Sequence, residues 1–91
     1  MPFEVYSSGR CPFCLLARRL LKQRGYAFDE YAVDREPGLR QEMEQRAGRT
    51  SVPQIFLGDI HIGGFDELQA LDRSGELARL AASAETPAES S

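Results

Sequence analysis

Cys11 and Cys14 are the chain's only two cysteines, and their spacing limits the chemistry open to them. A disulfide between residues three apart closes almost no loop, so it would remove little entropy from the unfolded chain. The pair is therefore read as chemical rather than structural, either cycling between dithiol and disulfide or contributing to a metal site. Tetrahedral zinc wants four ligands, and one chain offers two cysteines and a single histidine, so no metal is expected. Cys11-Pro12-Phe13-Cys14 opens a segment in which Leu15, Leu16, Leu20 and Leu21 recur at helical spacing, with Pro12 acceptable in the first turn. The free N–H groups and positive dipole end of such a helix favour a thiolate at Cys11, and Arg10 beside it adds positive charge. Cys14, one turn deeper, gets less of that help. Cys11 is thus expected to attack and Cys14 to resolve.

The elements that must position this pair follow from the flanking patterns. Phe3 to Ser7 is a short β-prone run ending at Gly9, so a strand feeds the loop that carries Arg10 and Cys11. The helix from Pro12 stops at Gly25, and Tyr26 to Val33 is aromatic and β-prone. Two strands joined by a helix should lie parallel through a right-handed crossover. After Pro37-Gly38, Leu39 to Arg46 predicts a polar helix with one narrow apolar stripe, ended by Gly48. Ile55 to Leu57 and Ile60 to Ile62, separated by Gly58-Asp59, predict an antiparallel hairpin broken by Gly63-Gly64. Phe65, Leu68 and Leu71 begin a third helix stopping near Ser74-Gly75, and Leu77, Leu80 and Ala81 mark a short last one. The order β-α-β-α-β-β-α implies an α/β domain with a mixed four-stranded sheet flanked by helices. Residues 1–82 are assigned to this domain. Residues 83–91 hold only Ala, Glu, Ser, Thr and Pro and are expected to form a disordered tail.

At 91 residues, 42% hydrophobic and 27% charged, the composition is that of one globular domain. No apolar run approaches the ~20 residues needed to cross a bilayer, so no membrane partner is expected. Met1-Pro2-Phe3-Glu4-Val5 has no basic cluster followed by an apolar stretch, which leaves the cytoplasm as the default compartment. A net charge of -3 would repel phosphate backbones and argues against nucleic acid.

The Cys-Pro-Phe-Cys motif, Ser51-Val52-Pro53-Gln54-Ile55-Phe56 about forty residues later, and Gly63-Gly64-Phe65-Asp66-Glu67 together resemble the dithiol glutaredoxins, of the small bacterial glutaredoxin 3 type. The resemblance spans residues 3 to about 82 and implies a thioredoxin fold. It also implies a glutathione-dependent thiol–disulfide oxidoreductase acting on glutathionylated or disulfide-containing proteins, with glutathione as co-substrate and a monomer as the working form. By the same resemblance the bond before Pro53 is cis and turns the Val52 backbone towards the sulfurs, to pair with the cysteinyl part of glutathione. Gly64, Phe65, Asp66 and Glu67 are expected to bind glutathione at a second helix start, where the N–H groups of Asp66 and Glu67 suit the γ-glutamyl carboxylate. Either Asp66 or Glu67 would meet the amine, Glu67 standing where the family usually has aspartate. Read without the family, both acids simply favour a helix N-terminus. Ser8 occupies the family's usual Lys or Arg position, and Arg10, Arg40 or Arg49 is the expected substitute for the glycine carboxylate; read without the family, each is a solvated surface charge. Phe13 replaces the usual Tyr and keeps only its apolar cover. His61 is read as a strand residue, not a base. A redoxin served by thioredoxin reductase would lack the Gly-Gly-x-acidic segment, and a cluster-bridging carrier usually has a small residue where Pro12 stands.

Overall fold

β1 (Phe3–Ser7) is one of two inner strands of a sheet in the order β2-β1-β3-β4, in a computed structural model that describes residues 2–85. β1 runs parallel to β2 (Phe28–Ala32) and antiparallel to β3 (Gln54–Leu57), which pairs antiparallel with β4 (Ile60–Gly63). β2 and β4 are therefore the two edges. Between the strands lie α1 (Pro12–Gln23) and α2 (Leu39–Ala47), and after them α3 (Phe65–Ser74) and α4 (Glu76–Glu85). This is the mixed sheet expected from the patterns, and the β1-α1-β2 unit is parallel as a crossover requires.

The sheet carries a core on each face. Phe3, Val5, Ile55 and Leu57 pack with Ala17, Leu20 and Leu21 of α1, Leu68 of α3, and Leu77 and Ala81 of α4. Tyr6 and Phe56 point to the other face, where they meet Met43 of α2 and Val33. α2 is indeed polar, and Met43 is the residue it buries completely. Tyr6 is wholly buried, because an inner strand covered by helices on both sides hides side chains of both faces. Its hydroxyl donates to Glu42 and accepts from Arg46 Nη1 at 2.9 Å.

Several boundaries differ from the expected ones by a few residues; Val33, for one, lies beyond the end of β2, and two of the differences have a plain cause. Tyr26 and Ala27 do not join β2: Gly25, at φ 79°, lets the N–H of Tyr26 return to Leu21 O at 2.9 Å, so α1's end uses up that residue. At the other end α4 runs to Glu85, so Ser83, Ala84 and Glu85, expected in a disordered tail beyond 82, are helical. An Ala-rich stretch with few helix breakers continues a docked helix at little cost. The remainder of the expected tail, 86–91, lies outside the described residues. No helix among the described residues is long and apolar enough to cross a membrane.

Candidate active site

The loop leaving β1 delivers Cys11 to the N-cap of α1, with extended backbone angles (φ -118°, ψ 105°) and Pro12 beginning the helix. Cys11 Sγ accepts the N–H of Cys14 at 3.1 Å, a helix-start hydrogen bond made by sulfur where Ser or Asp usually supplies oxygen. The two cysteines form a disulfide with Cα atoms 5.1 Å apart. Cys11 is partly exposed while Cys14 is fully buried, an inequality that makes the first sulfur the one a solvent-borne substrate reaches.

Across from this pair the Val52–Pro53 bond is cis, and the Val52 carbonyl oxygen lies 3.6 Å from Cys11 Sγ. An open groove of about 230 Å³ runs past it, lined by Phe13, Val52, Pro53, Gly64, Phe65, Asp66 and Glu67 from the expected set. Phe13, 55% exposed, stacks on Phe65 with ring centroids 6.1 Å apart, so the two aromatics form one wall. Arg49 also lines the groove, whereas Arg10 does not. The turn carrying Arg10 is drawn to the opposite flank, where the N–H of Gly9 donates to Asp34 Oδ2 at 3.0 Å and holds that carboxyl below its ordinary range. Adjacency to Cys11 in sequence therefore misplaces Arg10. Arg40 sits close by but gives Nη1 to Thr50 O at 3.0 Å.

Glu67 is committed locally. Its carboxylate accepts the N–H of Gly64 at 2.7 Å, closing the first turn of α3, and faces Arg49 Nη1 at 3.7 Å. The Gly64 N–H, with Arg49 as a smaller contributor, holds the Glu67 carboxyl below the usual glutamate range. This fold-back explains the first glycine: Gly63 has φ 115°, and a Cβ there would come within 2.8 Å of Glu67 Oε1. Asp66 lines the groove beside it.

Sequence reading gave no role to Ser51 or Gln54, and both line the groove. Gln54 is wholly buried; its Nε2 donates to Ser51 O at 3.0 Å, and its Oε1 lies 2.7 Å from His61 Nε2. The bond to a carbonyl fixes which way the amide points, so His61 must carry its proton on Nε2. His61 stacks on Phe56 at 4.7 Å, and burial, with Arg49 next, pushes its pKa down. It is a brace for the loop before Pro53 and stands outside the groove lining. The available signal was a polar residue between Pro53 and Ile55 in an otherwise apolar run. Among the described residues no group of three or more His, Cys, Asp or Glu side chains is placed to hold a metal ion.

The sequence matches the family described as glutaredoxin over residues 3–62. It is 46% identical over 76 residues to a glutaredoxin of Pseudomonas aeruginosa, covering 84% of this chain and 90% of the relative. It is 47% identical over 74 residues to glutaredoxin 3 of Escherichia coli K12, covering 81% and 89%. Among solved structures, the buckwheat glutaredoxin–glutathione complex superposes with a TM-score of 0.85 at 28% identity, over 92% of this chain and 79% of that one. A glutaredoxin from Brucella melitensis gives 0.77 at 41% identity, over 88% and 87%.

Proposed function

Since the chain belongs to the glutaredoxin family, a thiol–disulfide oxidoreductase with a Cys11–Cys14 dithiol and glutathione as co-substrate, we propose that Cys11 is its nucleophile and Cys14 its resolving thiol. The observation that carries this assignment is the position of Cys11 Sγ, partly exposed at the start of α1 and accepting the Cys14 N–H at 3.1 Å. Negative charge on that sulfur is met by a backbone donor and the helix dipole. The Cys11 thiolate attacks the glutathione sulfur of a protein–glutathione mixed disulfide. A bond forms between Cys11 and glutathione, the old S–S bond breaks, and the protein thiolate leaves and takes a proton. The thiolate of a second glutathione then attacks the bound one, releasing glutathione disulfide and Cys11. With a protein disulfide, Cys14 attacks the mixed disulfide at Cys11, closing the enzyme's own disulfide and freeing the second substrate thiol.

Glutathione is proposed to lie in the groove. Its cysteinyl backbone pairs with Val52 ahead of Pro53, and its γ-glutamyl carboxylate takes N–H groups at the start of α3, around Phe65, Asp66 and Glu67. Asp66 meets the amine, because Glu67 is already engaged with Gly64. Arg49, not Arg10, is offered to the glycine carboxylate. That the similar buckwheat glutaredoxin forms a complex with glutathione supports a glutathione site in this chain. Both cysteines, Val52 and the start of α3 come from one chain, which supports a monomer as the working form. A vicinal dithiol recharged by glutathione belongs in a reducing compartment, which supports the cytoplasm.

Variants of the two cysteines test the roles. Cys11→Ser should abolish all activity, whereas Cys14→Ser should keep release of glutathione from a glutathionylated peptide and lose reduction of protein disulfides. Retained deglutathionylation in Cys11→Ser would overturn the assignment.

A further inference from the structure

We propose that the cleft between α1 and α3 docks an acidic segment of the protein substrate, next to the substrate's reacting cysteine. The inference rests on the thiol–disulfide reading above and adds to it a preference among protein substrates.

The first observation is the segregation of charge. Residues 10–24 hold Arg10, Arg18, Arg19, Lys22 and Arg24 and no acid, whereas the rest of the chain holds six basic residues against fourteen acidic ones. The helix that presents the nucleophile thus has the opposite sign to the molecule's net -3. An acidic partner is repelled by most of this protein and attracted by the face that reacts, so charge selects the productive orientation of encounter.

The second observation is a place for such a segment to lie. A cleft of about 380 Å³ between α1 and α3 has Leu16 and Phe65 among its apolar lining, with Arg19 and Arg73 also along it. Phe65 lines both this cleft and the groove that passes Val52, whose carbonyl oxygen lies 3.6 Å from Cys11 Sγ, and it stacks on Phe13, so the two depressions share one ring as a wall. Arg24 is neutralised in place, its Nε and Nη2 donating to the Asp72 carboxylate at 2.8 Å each. Among the described residues Arg19 and Arg73 make no close ion pair, though Arg73 helps Arg24 hold the Asp72 carboxyl below its ordinary range, so the cleft carries three guanidinium groups against the one carboxylate in its lining. Leu16 is 38% exposed and Phe13 55%, so an apolar strip beginning beside Cys11 stays open to solvent although Phe13 stacks on Phe65. Once glutathione fills the groove along Val52 and α3, the polypeptide carrying the modified cysteine must leave the reacting sulfur outside that groove. The neighbouring cleft offers it an apolar floor and two cations suited to carboxylates.

Three glutathionylated peptides that differ only in having Glu, Gln or Lys beside the cysteine, together with the mixed disulfide of glutathione and 2-mercaptoethanol, test this. The expected kcat/KM order is Glu, then Gln, then Lys, with about ten-fold between the extremes at low ionic strength and a smaller spread as salt screens the exposed charges. Arg19→Gln with Arg73→Gln should flatten the order, and Arg19→Glu with Arg73→Glu should invert it. Neither pair should change the rate with the small mixed disulfide. Equal rates for the three peptides, or a preference that persists in the double variants, would sink the docking cleft. So would a wild-type dimer that Arg19→Glu with Arg73→Glu converts to monomer, because a second copy would then own this face. Failure of the wild type on the small mixed disulfide would instead remove the thiol–disulfide reading on which the proposal stands.

Discussion

Asp66 and Glu67 are adjacent carboxylates at one helix start with separable tasks. Glu67 closes the turn onto Gly64, and Asp66, which lines the groove, is the carboxylate we propose for the amine. Asp66→Asn should therefore raise the KM for glutathione by roughly five- to thirty-fold, the range expected for one charged hydrogen bond that is partly solvated. The turnover at saturating glutathione should barely change, since the contact is remote from the sulfur and equal in ground and transition states. Glu67→Gln should shift that KM much less. Steady-state kinetics of the two variants decides it, and the reverse ranking would return the amine to Glu67. Composition and spacing put both acids at a helix start but could not separate them, because the difference lies in a side-chain rotamer folded back by three residues. Gln54 was illegible for a related reason: only tertiary structure sets an amide between the Ser51 carbonyl and His61. The cysteines, by contrast, were fully legible, since a pair three apart at a strand-to-helix junction has few physical uses.

At the scale of the element, the start of α3 couples the binding groove to acidity. The Glu67 carboxyl sits below its ordinary value of about 4.5 because it holds the Gly64 N–H. A carboxylate with a depressed folded-state pKa contributes stability above its unfolded value, and that contribution is lost as pH falls through the folded one. Being about half exposed, it should contribute only about 0.3 to 1 kcal/mol at a helix N-terminus. Urea unfolding at a series of pH values should show Glu67→Gln less stable than wild type by about that amount near neutrality. The two curves should converge below pH about 4.5; a gap independent of pH would mean that the charge does not carry the turn. The order and type of every element were readable from hydrophobic period and from Gly and Pro punctuation. The ends were less so. Tyr26 has strand character, yet its N–H closes α1, and Ser83 to Glu85 look like tail by composition yet prolong a docked helix. Both are cases where the preceding element decides what a few neutral residues become.

At the scale of the molecule, one four-stranded sheet is covered on both faces, and the face under α1, α3 and α4 holds the larger share of buried aliphatic residues. Leu68, fully buried there, belongs to the helix whose start forms the groove wall. Leu68→Ala should cost about 2 to 5 kcal/mol, the range for deleting a buried leucine side chain. Urea denaturation reads this loss, and a change below about 1 kcal/mol would show that the site-bearing helix is not anchored through this residue. Because the sheet does not close into a barrel, it leaves two outer strands, and these differ in how they meet a neighbour. β4 is four residues long and its pairing is irregular between Ile55 and Phe56, so it offers little template for another chain. β2 pairs in unbroken register but carries Asp29 and Glu30 side by side, and an antiparallel approach of a second β2 would set acid against acid. The acidity of that strand therefore acts as a guard on solubility: at high concentration Asp29→Val should bring on turbidity, read by light scattering, while the wild type stays clear.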